Sequence, residues 1–285
     1  AYSPAKYGIL TEYLPHHLLV KANGWMEGST VMAIILGAIV GGLLATRDPV
    51  FAVEMITGLY LAAAGFNLYI PRVPRDHRMP KKNPVYILHD FWHSFTALWR
   101  DPQGQVSLAV TTLFWGAGAT LRLVVLAWAA AALGFGLDHA TQLTATVAAG
   151  IAVGSIAASR LITLETSVKV LPAGILMGFL VMSMVLIEDW RIAALVLFFI
   201  GVLSGYFVVP LNALLQHRGH ILIGAGHSIA VQNFNENISI LLLLGAYSIM
   251  VKHAVPINWI VLIFGLFVSL VMALIYRFYR DLKTH

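Results

Sequence analysis

An arginine, Arg122, stands inside the apolar stretch TLFWGAGATLRLVVLAW. A cation at that depth in a hydrophobic segment is costly unless it meets a cavity, a partner or a headgroup, so its position is a functional signal. At helical spacing Thr111, Trp115, Gly118 and Arg122 fall on one face. That stripe of hydroxyl, aromatic, small and cationic groups is expected to border a cavity rather than lipid. There the planar guanidinium would hold a phosphate through paired hydrogen bonds. A second reading keeps the same arginine as a structural lock, paired with a carboxylate on a neighbouring helix.

The second cluster is VQNFNENIS at 231–239. Gln232, Asn235, Glu236 and Ser239 share a face, with Asn233 and Asn237 beside it. So many amides cannot all point into hydrocarbon at tolerable cost. Glu236 is placed to pair with Arg122, accept a proton or bind an ammonium headgroup; plain hydrogen bonding between helices is the alternative. Glu27 and Asn23 lie in KANGWMEGS, where a carboxylate near a helix N-terminus serves as a cap or as a ligand. Glu165, in SRLITLETSVK, is within reach of Arg160 or Lys169 as part of a gate, or is a solvated loop charge. Asn212 follows Pro210, whose missing amide permits a kink.

These residues need elements that span a membrane. The chain has 285 residues, 59% of them hydrophobic and 11% charged, with a mean hydropathy of +0.81. A water-soluble domain could not hide that much apolar surface. Eight stretches are long and apolar enough to cross a bilayer as helices: about 26–46, 50–70, 105–132, 140–158, 168–187, 191–215, 223–251 and 256–279. With the 71–104 loop on the cytoplasmic side, 14 Lys and Arg fall there and 3 outside, which orients the chain with its C-terminus in the cytoplasm. The net charge of +5 is then a topology signal and a match to anionic headgroups, and it gives no reason to expect nucleic acid.

The 71–104 loop opens on the basic, proline-rich PRVPRDHRMPKKNP and continues as YILHDFWHSFTALWR. In the latter Ile87, Phe91, Phe95 and Leu98 recur at helical spacing. This predicts an amphipathic helix, either lying on the cytoplasmic membrane face or packed on the protein's own spans. The organisation expected is two spans in 1–70, a central cytoplasmic loop in 71–104, and a six-helix half in 105–285.

Several chemistries lack their residues. There is no cysteine, so disulfides and thiolate sites are excluded. His89 and His93 have the spacing of two metal ligands but no third ligand at a known spacing, and no metal is expected. No GxxxxGK[ST] loop is present to bind ATP, and no histidine has an aspartate five positions on, as a membrane acyltransferase would offer. Glycines four apart at Gly37/Gly41, Gly150/Gly154, Gly174/Gly178 and Gly201/Gly205 predict close helix approach.

Several motifs together resemble a known family. AYSPAKYGIL at 1–10, KANGWMEGST at 21–30, LFWGAGATLRL at 113–123, LITLETS at 161–167, LPAGILMG at 171–178, FVVPLNALLQHRG at 207–219 and GAGHSIAVQNFNENIS at 224–239 are similar to the bacterial lysophospholipid transporters of the major facilitator superfamily. The resemblance implies an all-α helical bundle of twelve spans, of which this chain would hold the fifth to the twelfth. It implies a multi-pass protein of the bacterial inner membrane, a transporter and not an enzyme, with no cofactor. Its substrates would be lysophosphatidylethanolamine and lysophosphatidylglycerol, moved from the outer to the inner leaflet. A cytoplasmic acyltransferase/acyl-carrier-protein synthetase would then restore the second chain. Lys6, Arg122, Glu165 and Glu236 match polar positions of that family's cleft or rim. With Glu27, Gln232 and Asn235 read from the residues above, they make up the expected binding or gating set. The rival expectation is a proton-coupled exporter of drugs or metabolites working through Glu236 or Glu165.

Overall fold

A computed structural model describes the backbone of residues 2–70 and 83–284, and the side chains there apart from 2–7, 38, 39, 42, 43, 45–47, 49, 137, 138 and 282–284. Among the described residues every regular element is helical, the solution that lets a segment in lipid satisfy its own backbone. The α-helices are α1 (Tyr2–Tyr13), α2 (Leu19–Arg47), α3 (Pro49–Asn67), α4 (Pro84–Arg100), α5 (Pro102–Leu133), α6 (Leu137–Leu161), α7 (Leu171–Ser183), α8 (Trp190–Ile223), α9 (Ala225–Lys252) and α10 (Ile257–Thr284).

Among the described residues seven stretches are long and apolar enough to cross a membrane: Val50–Asn67, Pro102–Leu133, His139–Leu161, Leu164–Leu186, Trp190–Ile223, Ala225–Lys252 and Ile257–Asp281. The helix α2, with 29 residues, corresponds to the remaining expected span. The protein is thus a multi-pass helical membrane protein.

Three boundaries depart from the hydropathy reading. First, α2 begins at Leu19 and not near 26, because the polar turn with Lys21 and Asn23 is already helical. Glu27 therefore stands in the third turn, beyond reach of the helix start, and the capping role considered for it is ruled out. Second, α8 continues through Pro210 and on to Ile223, carrying Gln216 and Arg218 on a helix that hydropathy ends near 215. Third, the apolar run at 168–187 is broken into a 3-10 turn (Leu164–Val170), α7 and a second turn (Met184–Leu186). Pro172 favours a helix start at this point. The preceding turn is closed by Thr163 and Thr166, each bonding the other's backbone.

Two glycine seams bind the helices after α4 together. Gly150 and Gly154 of α6 face the carbonyls of Phe198 and Val202, while Gly201 and Gly205 of α8 face those of Val147 and Ile151. The contact is reciprocal, and a Cβ at any of the four would collide with opposing backbone. Gly174 and Gly178 of α7 make a similar seam with Met272 and Ser269 of α10. Gly37 and Gly41 have nothing within 4 Å among the described residues.

The amphipathic α4 packs one face on the protein's own helices and leaves another exposed. Phe91, Phe95 and Leu98 pack on a cluster formed by Leu108, Leu215, Ile223 and Val231, whereas Val85, Leu88 and Trp92 stay exposed. The basic 71–82 stretch preceding it lies outside the described residues. Two side-chain contacts hold α4 in place. His227 Nε2 donates to Asp90 Oδ2 at 2.7 Å. At the other end Asp101 accepts from Arg218 through both carboxylate oxygens, with Nε at 2.9 Å, and also caps α5 by accepting from Gly104 N at 2.8 Å.

Burial alone would push the Asp101 carboxyl up; the bonds from Arg218 and Gly104 outweigh it and hold the group below the usual range. Its stabilising contribution is therefore full above the ordinary carboxylate pKa of about 4 and is lost only as pH falls through the lower folded value. Asp101→Asn should cost about 1–2 kcal/mol at neutral pH, the scale of a charge-assisted bond that remains partly solvated. Thermal unfolding in detergent from pH 7 downward checks this: the variant should melt lower at pH 7, and the gap should close in acid.

Candidate functional site

The polar residues assemble into two separate places. One is a cavity of about 480 Å³ bordered by α2, α5, α6, α7, α8 and α10. Its lining is apolar except for the hydroxyls of Thr141, Thr144 and Ser204 and the guanidinium of Arg122. Arg122 is exposed, and among the described residues it has neither an ion-pair nor a hydrogen-bond partner. Gly118 borders the cavity beside it, as the helical stripe predicts; Thr111 and Trp115 do not. Thr111 is buried and spends its hydroxyl on the carbonyl of Leu108 at 3.1 Å. Arg122 lies 20 residues beyond Pro102, about 30 Å along α5, well away from the end where α5 begins.

The other place is a chain of buried amides near that beginning. Asn23 of α2 is fully buried. Its Nδ2 donates to Gln216 Oε1 at 2.8 Å, and its Oδ1 accepts from Gln216 Nε2 at 3.0 Å and from Asn212 Nδ2 at 3.1 Å. Asn212 Oδ1 in turn accepts from Gln232 Nε2 at 2.9 Å, and the same Nε2 donates to Glu236 Oε1 at 2.7 Å. Five side chains from α2, α8 and α9 thereby satisfy one another in a region where an unpaired amide is expensive. Glu236 is held by an amide and not by Arg122, so the pairing of those two considered from sequence is not made.

The remaining predicted residues scatter. Asn235 bonds back to Val231 O at 2.8 Å, Asn233 to Ile229 O at 3.0 Å and Asn237 to Asn233 O at 2.7 Å, so these asparagines serve their own helix. Ser239 packs where Gly116 of α5 leaves room for it. Glu27 is half-buried, one helical turn beyond Asn23 on the same side of α2. Glu165 is exposed on its 3-10 turn, and no ion pair joins it to Arg160 or Lys169 among the described residues. The Lys6 side chain lies outside the described residues. Sequence reasoning passed over Gln216, Asp90, Asp101, Arg218 and His227. Each of their contacts joins residues more than a hundred positions apart, and only the Asp101–Pro102 helix start had a local signal.

Among the described residues the bundle thus carries a cavity bordered by one cation and, apart from it, a buried chain of amides. The sequence profile of the Major Facilitator Superfamily matches residues 1–242, and the chain belongs to that superfamily. It is 50% identical over 254 residues (88% of this chain) to the lysophospholipid transporter LplT of Serratia proteamaculans (strain 568). It is 47% identical over 259 residues (90% of this chain) to proteins of that name from Yersinia enterocolitica and Yersinia pestis. The chain spans 64% of the length of these curated relatives.

Removing the hub of the amide chain tests its energetic role. Asn23→Ala would strand Gln216 and Asn212 and should cost about 1–3 kcal/mol. Asn237→Ala, on an exposed turn, should cost far less. Melting temperatures in detergent compare the two, and equal values would show that the amide chain contributes nothing.

Proposed function

We propose that the protein is a secondary transporter for lysophospholipids, moving species such as lysophosphatidylethanolamine and lysophosphatidylglycerol from the outer to the inner leaflet of the bacterial inner membrane. One observation carries the reading: a guanidinium, Arg122, without a partner among the described residues, at a cavity that is otherwise apolar but for three hydroxyls. A lysophospholipid presents the same asymmetry, one phosphate on one chain. The relatives' name supports the substrate class.

In this reading the chain is organised as two spans in 1–70, a cytoplasmic segment in 71–104 and a six-helix half in 105–285. The Lys/Arg distribution supports a cytoplasmic C-terminus. The start of α5 is then cytoplasmic, and Arg122 lies toward the outer leaflet, where the lysolipid would be collected. The amide chain from Asn23 to Glu236 closes the cytoplasmic side, with Glu27, Gln232, Asn235 and Glu236 along the path the head takes once it opens. Lys6 and Glu165 would act at the cytoplasmic rim. The released lysolipid would pass to a cytoplasmic acyltransferase/acyl-carrier-protein synthetase for reacylation. The rival, a proton-coupled exporter working through Glu236 or Glu165, leaves the cation at the cavity without a role.

Arg122→Ala, introduced at the chromosomal locus, should cut uptake of labelled lysophosphatidylethanolamine by about 100-fold, the loss of a charge-assisted phosphate contact of about 3 kcal/mol. Arg122→Lys should recover part of it, because an ammonium keeps the charge without the paired geometry. Membrane abundance of each variant is measured alongside. Normal uptake by abundant Arg122→Ala protein would reject the assignment.

A further inference from the structure

The cavity at Arg122 reaches past the helices that first border it. Ile34, Arg122, Thr141 and Ala145 are exposed at its rim, whereas Met177, Val181, Phe264 and Val268 are buried. These last four belong to α7 and α10, which pack against each other along the Gly174/Gly178 seam. The cavity thus runs into the body of the helices after α4, from a charged rim to an apolar floor. The one polar group on that floor, Ser204, is already satisfied by Ile200 O at 2.7 Å and Met177 Sδ at 2.9 Å. The floor therefore offers nothing to a headgroup and suits hydrocarbon alone.

We propose that this floor receives the acyl chain of the lysolipid, so that the tail is enclosed by α5, α7, α8 and α10 while its phosphate meets Arg122. This rests on the lysophospholipid reading above and departs from the simplest form of it, in which only the head needs a path and the tail can remain in the bilayer. Charge complementarity selects the occupant. A wholly apolar molecule would leave Arg122 unused, and a small polar one would leave the floor dewetted and empty. Enclosure also gives Phe264 and Val268 a task, since they set how much chain fits.

The test uses a lysophosphatidylethanolamine carrying a photoactivatable diazirine at the end of its chain, crosslinked to the wild-type protein in native membranes. The label should fall on Met177, Val181, Phe264 or Val268 and be competed away by unlabelled lysolipid. The same helices provide an internal control, because Leu176, Phe179, Ile263 and Leu266 are exposed on their outer side. Label confined to those four would overturn the proposal and leave the transport reading intact. Floor label together with uptake indifferent to Arg122→Ala would instead remove the phosphate assignment and keep the tail site. Two variants give an independent reading. Val268→Phe should lower uptake of an eighteen-carbon relative to a twelve-carbon lysolipid by about tenfold, and Phe264→Ala should shift the ratio the other way. An unchanged ratio in both, with protein present in the membrane, would overturn the enclosure of the tail.

Discussion

An asparagine with no exposure to solvent, Asn23, must find partners for a donor and an acceptor inside a bundle whose surroundings supply no water. It finds them in Gln216 and Asn212, 193 and 189 residues along the chain. Much of the arrangement follows from that requirement. The exchange with Gln216 fixes the register of α2 against α8, because sliding either helix by one residue would turn an amide into hydrocarbon. With α2 so fixed, Gly24 meets the backbone and side chains of α6 at Ser155 and Ser159. Farther along, Gly37 and Gly41 meet nothing among the described residues, and Ile34 stands exposed at the cavity. The bundle is therefore tight on α2 at one end and open beside it at the other.

Hydropathy and residue spacing carry most of the helical frame. The spans are legible because hydrocarbon imposes both a length and a composition, and neither depends on which helix lies next to which. Glycine spacing correctly marks α6, α7 and α8 as sites of close approach for the same reason: a surface without side chains is visible locally. At Gly37/Gly41 no described residue takes up the approach, because spacing says that a helix could approach, and only the fold says whether one does. The polar turn of α2 was hidden by its own composition. Lys21 and Asn23 lower the hydropathy of residues that are nevertheless helical, so the span reads as starting at 26 and Glu27 reads as a cap.

The candidate site divides along the same line. Arg122 is legible, since a cation in an apolar run is anomalous wherever it is placed. That Gln232 and Glu236 are buried is legible too, from the density of amides around them. Their partners are not: the bond from Gln232 to Asn212 joins two helices, and nothing in either segment names the other. The wish to neutralise Arg122 with Glu236 came from charge alone. The fold prefers to satisfy the carboxylate with a neutral amide and leave the guanidinium open, which is costly for structure and sensible only if something else binds it.

Two kinds of seam hold these helices, and they differ in what it takes to part them. The α6–α8 seam is backbone against backbone, and the α7–α10 seam sets glycines against backbone at Gly178 and against the Met272 side chain at Gly174. Their attraction comes from many dispersion contacts at short range, which vanish together when the helices separate and which water does not replace. The α2–α8–α9 seam is a chain of amides. Each of those bonds can be exchanged for one to water at little net cost if water is admitted. A structure that must rock one group of helices against another around a fixed site has to be stiff within each group and replaceable between them. The glycine seams lie within the helices after α4, and the amide seam joins those helices to α2. That distribution makes the end near Asn23 the natural place for water to part α2 from the helices after α4.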